Sequence, residues 1–309
     1  MLESRLLTRL DQKKNTLDAL RPLPTAAVRR LQEELKIEWT YNTNAIEGNT
    51  LTLQETRLIL ETGLTVGGKT LHEHFEVINH QQAIEYVEAL AQVEEQITLF
   101  HIRQIHHLVL TQIDGENAGQ YRNLVVRIAG AIHEPPEPWE VGRLMAEWGD
   151  WLNDGTHDLH PVERSALAHH RLVAIHPFID GNGRTARLMM NLLLMRDGYP
   201  PTIIMKANRQ QYYRVLAQAD RGNDVPLINF VGRAVERSLT LYLEACTPRV
   251  GPPAADEKWI PLREAAQNTP YSQEYLSLLA RTGRLDAVKR GRNWYTTHQA
   301  VALYRRSVE

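Results

Sequence analysis

The chain has 309 residues, 43% of them hydrophobic and 23% charged; this composition excludes a disordered protein and suggests about two domains at roughly 150 residues each. Thirty-five Lys and Arg against 37 Asp and Glu leave a net charge of -2, too balanced for a surface that gathers nucleic acid or acidic membrane as a whole. Cys246 is the single cysteine, so an internal disulfide and a zinc centre built on several thiolates are excluded, and no run approaches the ~18 apolar residues of a membrane span.

The N-terminal MLESRLLTRLDQKKN mixes charges through its apolar positions, has no secretory core, and points to a reducing cytoplasm. Leu6, Leu10, Leu17 and Leu20 recur at helical spacing, and most of the chain repeats that period, so an all-α body is expected. Residues Thr25 to Ile46 read as a helix with Val28, Leu31 and Leu35 on one face and Gly48 as its C-terminal cap. Glu47 then lies at the negative end of the helix dipole, where a carboxylate is unfavourable unless a cation meets it. It is either a solvated acid or one half of an ion pair.

Breaks at Gly67-Gly68, Asp114-Gly115 and Pro135 to Pro138 separate further helices. Tyr121 to Ile128, YRNLVVRI, is short and β-branched and predicts a small hairpin. The pairs His72 and His74, His106 and His107, and His169 and His170 show no recognised metal-ligand spacing, and the six tryptophans, Trp39, Trp148 and Trp151 among them, are expected to pack the bundle.

The most informative stretch is HPFIDGNGRTAR, His176 to Arg187. Pro161 opens a helical pattern that Pro177 closes, and RTARLMMNLLLMRDG resumes one that ends at Gly198. The glycines precede a helix N-terminus, whose free N–H groups and positive dipole end make an anion site. Arg184 and Arg187 lie three apart in the first turn, expected on one side, where two cations call for an anion in compensation. Asp180 is a hard oxygen donor suited to a phosphate-bound magnesium, and His176 has the pKa range of a general base. These types together suggest a di- or triphosphate, its metal and a base for an incoming hydroxyl. GxxxxGK[ST] is absent, so this is not a P-loop, and Arg184 at the fifth loop position excludes an EF-hand.

Residues 247 to 256, within TPRVGPPAADE, read as a linker. Residues 257 to 309 carry nine Lys and Arg against five acids, a local charge of +4. Their order is a helix at LREAAQ, a break at Pro270, and a helix capped by Ser272. A two-stranded LDAVKRGRNWYTT wing and a last helix from Thr297 follow. This resembles a winged helix-turn-helix, with Tyr271, Ser272, Gln273 and Tyr275 opening the recognition helix and Lys289, Arg290 and Arg292 near phosphates. A docking or dimerisation module is the alternative.

HPFIDGNGRTAR matches the Fic (filamentation induced by cAMP) signature HxFx[DE]GNGRxxR without a departure, and the chain resembles that family from about Thr25 through Asp220, including Tyr199 to Pro201 and the Tyr212-Tyr213 pair. The resemblance implies an all-α Fic-type helical bundle with a small β-hairpin flap, followed here by the winged helix-turn-helix-like α(+β) domain. It divides the chain into an N-terminal helical region at 1–100, a catalytic core at 101–246, the linker at 247–256 and the module at 257–309. The implied reaction moves AMP from Mg-ATP to a Ser, Thr or Tyr hydroxyl of a target protein and releases pyrophosphate.

By the same resemblance His176 is the base and Asp180 holds Mg²⁺. Gly181, Asn182, Gly183, Thr185 and Ala186 line the ATP phosphates, Arg184 and Arg187 neutralise the β- and γ-phosphates, and Phe178 is buried support. The related Doc toxins carry a lysine near the second glycine, and Gly183 argues against that branch. TNAIEG, Thr43 to Gly48, is similar to the family's inhibitory [ST]xxxE[GN] motif, which implies that Glu47, with Thr43, pairs with Arg187 and blocks the γ-phosphate. Ala129, Gly130, Ala131 and Ile132 of the flap and Tyr212 are implied beside the nucleotide, and Asp220 stands where the family has Asn. Self-modification, a homodimer and duplex DNA at residues 257–309 are further partner expectations; a membrane is not. Two rival functions remain, a nucleotide-sensing DNA-binding regulator and a Glu47-dependent enzyme that removes AMP.

Overall fold

Helix α8 (Asn182–Arg196) organises the larger part of the molecule: from Thr185 through Leu194 every residue is buried, because LMMNLLLM is apolar all round and such a helix must be enclosed by others. In the computed structural model, residues 1–128, 133–156, 158–246, 259–267, 269, 271–281, 285–291, 293–298, 300–302 and 304 are described. Two compact units result, Met1–Cys246 and Thr247–Glu309.

In the first unit α8 packs against α7 (Pro161–Ile175), α4 (Leu71–Ala91), α5 (Leu99–Leu110) and α2 (Thr25–Glu47). Around them stand α1 (Ser4–Ala19), α3 (Leu53–Thr62), α6 (Val141–Asp154), α9 (Arg209–Ala219) and α10 (Val225–Cys246). The leucines at helical spacing in α1 behave as expected up to the helix end: Leu6, Leu10 and Leu17 are buried, whereas Leu20, past the last turn, is exposed. Each enclosed leucine contributes about 1.5–3 kcal/mol of transfer free energy. Met189 and Met190 are core, as are Trp39 and Trp148, but Trp139 is 78% exposed and does not pack the bundle.

The termini that frame the site are set locally. Helix α2 ends on Gly48 at φ 110°, a left-handed cap. Helix α7 starts with Pro161 at its first turn and ends on His176 at φ 50° and ψ 57°. Helix α8 begins two residues earlier in the motif than the run RTARLMM suggests, with Gly181 as left-handed N-cap at φ 74° and Gly183 already inside the first turn.

The expected hairpin strand over Tyr121 to Ile128 is not formed: those residues and 133–137 run as irregular chain. The physical reason lies at Arg122. Its backbone N–H donates to the Pro177 carbonyl at 2.9 Å, so a group that a hairpin partner would take is bound to the motif loop. The expected nucleotide contacts Ala129 to Ile132 lie outside the described residues.

The second unit holds β1 (Ile260–Pro261), α11 (Leu262–Gln267), α12 (Gln273–Arg281), β2 (Ala287–Arg290) and β3 (Asn293–Thr296). The strands form an antiparallel sheet in the order β1-β3-β2, with Val288 opposite Tyr295 and Arg290 opposite Asn293. Ser272 Oγ accepts from the Tyr275 N–H at 3.2 Å, capping α12. The expected linker 247–256, the break at Pro270 and Arg292 lie outside the described residues. Among those described, no helix is long and apolar enough to cross a membrane.

Candidate active site

His176 is the only described non-glycine residue with positive φ, a conformation that costs an L residue roughly 1–2 kcal/mol. Its Nδ1 lies 3.3 Å from the Val173 carbonyl. A carbonyl only accepts, so Nδ1 carries the hydrogen and Nε2 is left with its lone pair, the arrangement a general base needs. Burial lowers the His176 pKa below its ordinary value, with Arg122 in the same sense and Val173, Glu47 and Asp180 opposing. The imidazole is thus neutral at physiological pH.

The loop after His176 closes on itself. The Phe178 N–H donates to Asn182 Oδ1 and Asn182 Nδ2 returns a bond to the Phe178 carbonyl, both at 2.9 Å. Phe178 is fully buried and stacks on His106 at 3.6 Å between centroids, with 4° between planes. The His106 ring takes the Gly119 N–H on Nδ1 and donates from Nε2 to the Asp180 carbonyl, each at 2.9 Å. Burial pushes its pKa down to about 4, so it holds the loop as a neutral ring. A side chain at Gly181 is disfavoured by its left-handed φ of 74° and by a tight contact, since a Cβ there would stand 3.3 Å from the His106 ring.

Arg184 and Arg187 are both buried, yet they diverge rather than face one side. Arg184 Nη1 donates to Glu76 Oε1 at 2.9 Å and Nη2 to Asp180 Oδ2 at 3.0 Å. Arg187 reaches α2: Nε donates to Thr43 Oγ1 at 2.7 Å, and Nη2 donates to the Thr43 carbonyl at 3.1 Å and to Glu47 Oε1 at 2.6 Å. Burial works to lower the Arg187 pKa, and Glu47 and Tyr212 outweigh it, holding the guanidinium above its ordinary value.

Glu47 therefore has its cation, and its carboxylate occupies more than an ion pair. A Cβ on Gly183 would collide with Glu47 Oε1, so the carboxylate lies directly on the first turn of α8, where N–H groups and the dipole stabilise negative charge. At its own helix end the Ile46 carbonyl accepts from Arg209 Nε at 2.7 Å, which further offsets the dipole.

Asp180 keeps 62% of its side chain exposed. A lone accessible carboxylate beside an anion site fits a magnesium ion that keeps waters and phosphate oxygens for its other positions. Among the described residues no group of three or more His, Cys, Asp or Glu is arranged to hold a metal by itself. Thr185 and Ala186 are buried within α8. Tyr212 is buried, bonds His169 Nε2 at 2.9 Å, and has its hydroxyl 3.5 Å from Arg187 Nη1; burial raises its pKa to about 12. Asp220 is bound to His170 Nε2 at 2.9 Å.

Three residues of this site escape a reading along the chain. Glu76 links Arg184 to Asn49, whose Nδ2 donates to its second oxygen at 2.8 Å; a single Glu in a helix ordinarily reads as surface. His106 offers only its helical spacing among buried positions, and Arg122 offers no sequence signal.

Comparison with known proteins places these features. Residues 96–194 match the Fic/DOC family model. The chain is 44% identical over 245 residues to a protein adenylyltransferase Fic of Drosophila grimshawi, an alignment covering 79% of this chain and 50% of that protein. It thus spans about half the length of the curated relatives it matches. Among solved structures it is similar to a Fic domain containing signaling protein from Bacteroides thetaiotaomicron, at 32% identity and a TM-score of 0.73, covering 77% of this chain and 97% of that one. A Fic family protein from Desulfovibrio desulfuricans shares the fold over 95% of this chain and 94% of its own, with a TM-score of 0.67 at 24% identity.

Proposed function

The chain belongs to the Fic/DOC family, and from that premise we propose that it is a self-inhibited protein adenylyltransferase, which moves AMP from Mg-ATP to a Ser, Thr or Tyr hydroxyl of a protein. One observation carries this reading: Arg187 of the first turns of α8 holds the Glu47 carboxylate at 2.6 Å, directly where a Cβ on Gly183 would stand, in the motif that also carries the neutral His176 and the exposed Asp180.

In the reaction the target hydroxyl oxygen bonds to the α-phosphorus as the bond from that phosphorus to the α,β-bridging oxygen breaks. The hydroxyl proton passes to His176 Nε2, and pyrophosphate leaves. The first turn of α8 binds phosphate oxygens through its N–H groups, and Arg184 and Arg187 balance the charge that leaves with pyrophosphate. Asp180 would hold the magnesium ion, which when bound neutralises and orients the phosphates. Arg187 cannot serve a phosphate while it holds Glu47, so the resting pair is inhibitory.

Glu47→Gly is expected to raise AMP incorporation from labelled ATP in cell lysate, both into a target and into the chain itself. An unchanged rate at saturating Mg-ATP overturns the inhibitory role. A reducing cytoplasm as the setting is supported by the single, free and buried Cys246.

A second reading concerns residues 257–309, where β2 and β3 form a wing that ends in Lys289 and Arg290, both exposed. We propose that this unit contacts duplex DNA. The recognition-helix candidate Tyr275 is engaged with Tyr304, hydroxyl to hydroxyl at 2.8 Å, and its ring lies by Tyr271. Phosphate contacts therefore supply most of the affinity. Replacing Arg290 with Ala should make the log-log salt slope shallower by about one unit, and absence of binding to genomic fragments by the full chain at ~50 mM salt refutes the contact.

A further inference from the structure

Arg122 is 3% exposed, yet among the described residues its side-chain hydrogen bonds go only to backbone carbonyls. Nε donates to His176 O at 2.7 Å, Nη1 to Leu124 O at 3.1 Å and Nη2 to Pro136 O at 2.5 Å. Its backbone N–H adds the bond to Pro177 O at 2.9 Å. Burial lowers its pKa below the ordinary guanidinium value, with Glu137 acting in the opposite sense. A buried guanidinium held by neutral acceptors is costly to keep, and a planar fork that reaches three carbonyls at once is something lysine cannot reproduce.

We propose that Arg122 is the positioning residue for His176. It holds the two carbonyls that flank the His176–Pro177 bend, and so holds the imidazole in the left-handed turn that aims it at the α8 N-terminus. The same guanidinium ties Leu124 and Pro136, which bracket the segment the family resemblance places over the nucleotide. One side chain thereby ties the His176 turn to the chain at Leu124 and at Pro136. His176 and Arg122 meet through backbone, not through the imidazole, so Arg122 does not touch the reacting atoms. The α8 phosphate site does not include Arg122, which separates the step it governs from ATP binding.

This inference rests on the adenylyltransferase reading, and its test separates the two. In the full chain carrying Glu47→Gly, adding Arg122→Ala is expected to lower kcat for AMP incorporation on the order of 10²-fold, the loss typical of an ångström-scale misplacement, with the KM for ATP changed by less than about twofold. Millimolar guanidinium ion should restore part of kcat to Arg122→Ala and none to His176→Ala. Arg122→Lys should remain impaired. Unchanged kcat, a loss expressed in KM, or a folded Arg122→Ala protein that guanidinium does not rescue overturns the proposal. If Arg122→Ala does not fold, the kcat and KM of Arg122→Lys decide by the same criteria. If the Glu47→Gly parent transfers no AMP, the function fails and Arg122 is still judged by amide hydrogen exchange at His176 and Phe178, on either side of Pro177. That exchange should speed severalfold on Arg122→Lys if Arg122 positions the turn, and stay unchanged if it does not.

Discussion

At His176 the ring is oriented by a bond that costs nothing to reactivity. Nδ1 is spent on the Val173 carbonyl and Nε2 is free, while burial keeps the ring neutral. His176→Ala is expected to reduce AMP transfer by about 10² to 10⁴ and to leave ATP binding nearly intact, because the proposed function gives phosphate binding to α8 and not to His176. Calorimetry that shows lost ATP affinity in this variant would reassign His176 to support of the loop. Glu47 is the opposite case, a residue whose local placement is unfavourable and whose tertiary placement is favourable. Removing it leaves buried Arg187 without its carboxylate, which costs about 2–3 kcal/mol, less than a fully buried pair because the Glu47 side chain is 30% exposed. The Glu47→Gly protein should therefore be more active and less stable, a combination that a merely structural acid would not produce.

Helix α2 delivers Glu47 because it stops where it does. Gly48 at φ 110° ends the helix with no atom within 4 Å of where a Cβ would stand, so a substitution there meets backbone strain without a steric clash. Gly48→Ala should cost about 1 kcal/mol and loosen the last turn of α2. A partial rise in AMP transfer, smaller than that of Glu47→Gly, is the expected result; transfer that stays at the resting level would mean Thr43 and Arg209 hold Glu47 in place without the cap. Helix α8 shows the complementary requirement. Gly183 must lack a side chain so that an anion, whether Glu47 or a phosphate, can rest on the first turn. The glycines of the motif thus have separate duties, Gly181 against His106 and Gly183 against the anion.

Across the whole molecule, buried histidines set the response to acid. His106 is lowered to about 4 and His169 to about 3, His80 lies well below the ordinary value, and burial is the first cause in each. A histidine lowered in the folded state binds its proton more readily when unfolded, so its contribution to stability is complete above pH 6.5, the unfolded value. It is lost progressively as pH falls from there toward about 4 for His106 and about 3 for His169. Thermal unfolding followed at about pH 7.5, 6 and 5, which span the roughly 6.5 of free histidine, should show Tm falling at each step. A flat Tm over that range would contradict the buried neutral state of these rings.

The sequence alone determined the helical class, the turn points and which side chains the loop at 176–187 gathers, because each depends on neighbours within one or two turns: a proline, a glycine cap, an apolar period, a fixed set of side chains on one loop. It also marked Glu47 as misplaced with respect to its own helix. The resemblance of TNAIEG to the inhibitory motif already named Arg187 as the residue that answers it, and the tertiary structure brings the two to 2.6 Å across 140 residues of chain, a pairing that no local physical signal encodes. Only the tertiary structure separated Arg184 from Arg187, which spacing alone set on one side, because α4 supplies Glu76 and α2 supplies Glu47. It gave Arg122 and His106 their hydrogen-bond partners, and replaced the expected strand over 121–128 with chain bound to the motif loop. Each of these is a long-range pairing of buried polar groups, in which the partner is selected by the packing of helices and is not encoded beside the residue it satisfies.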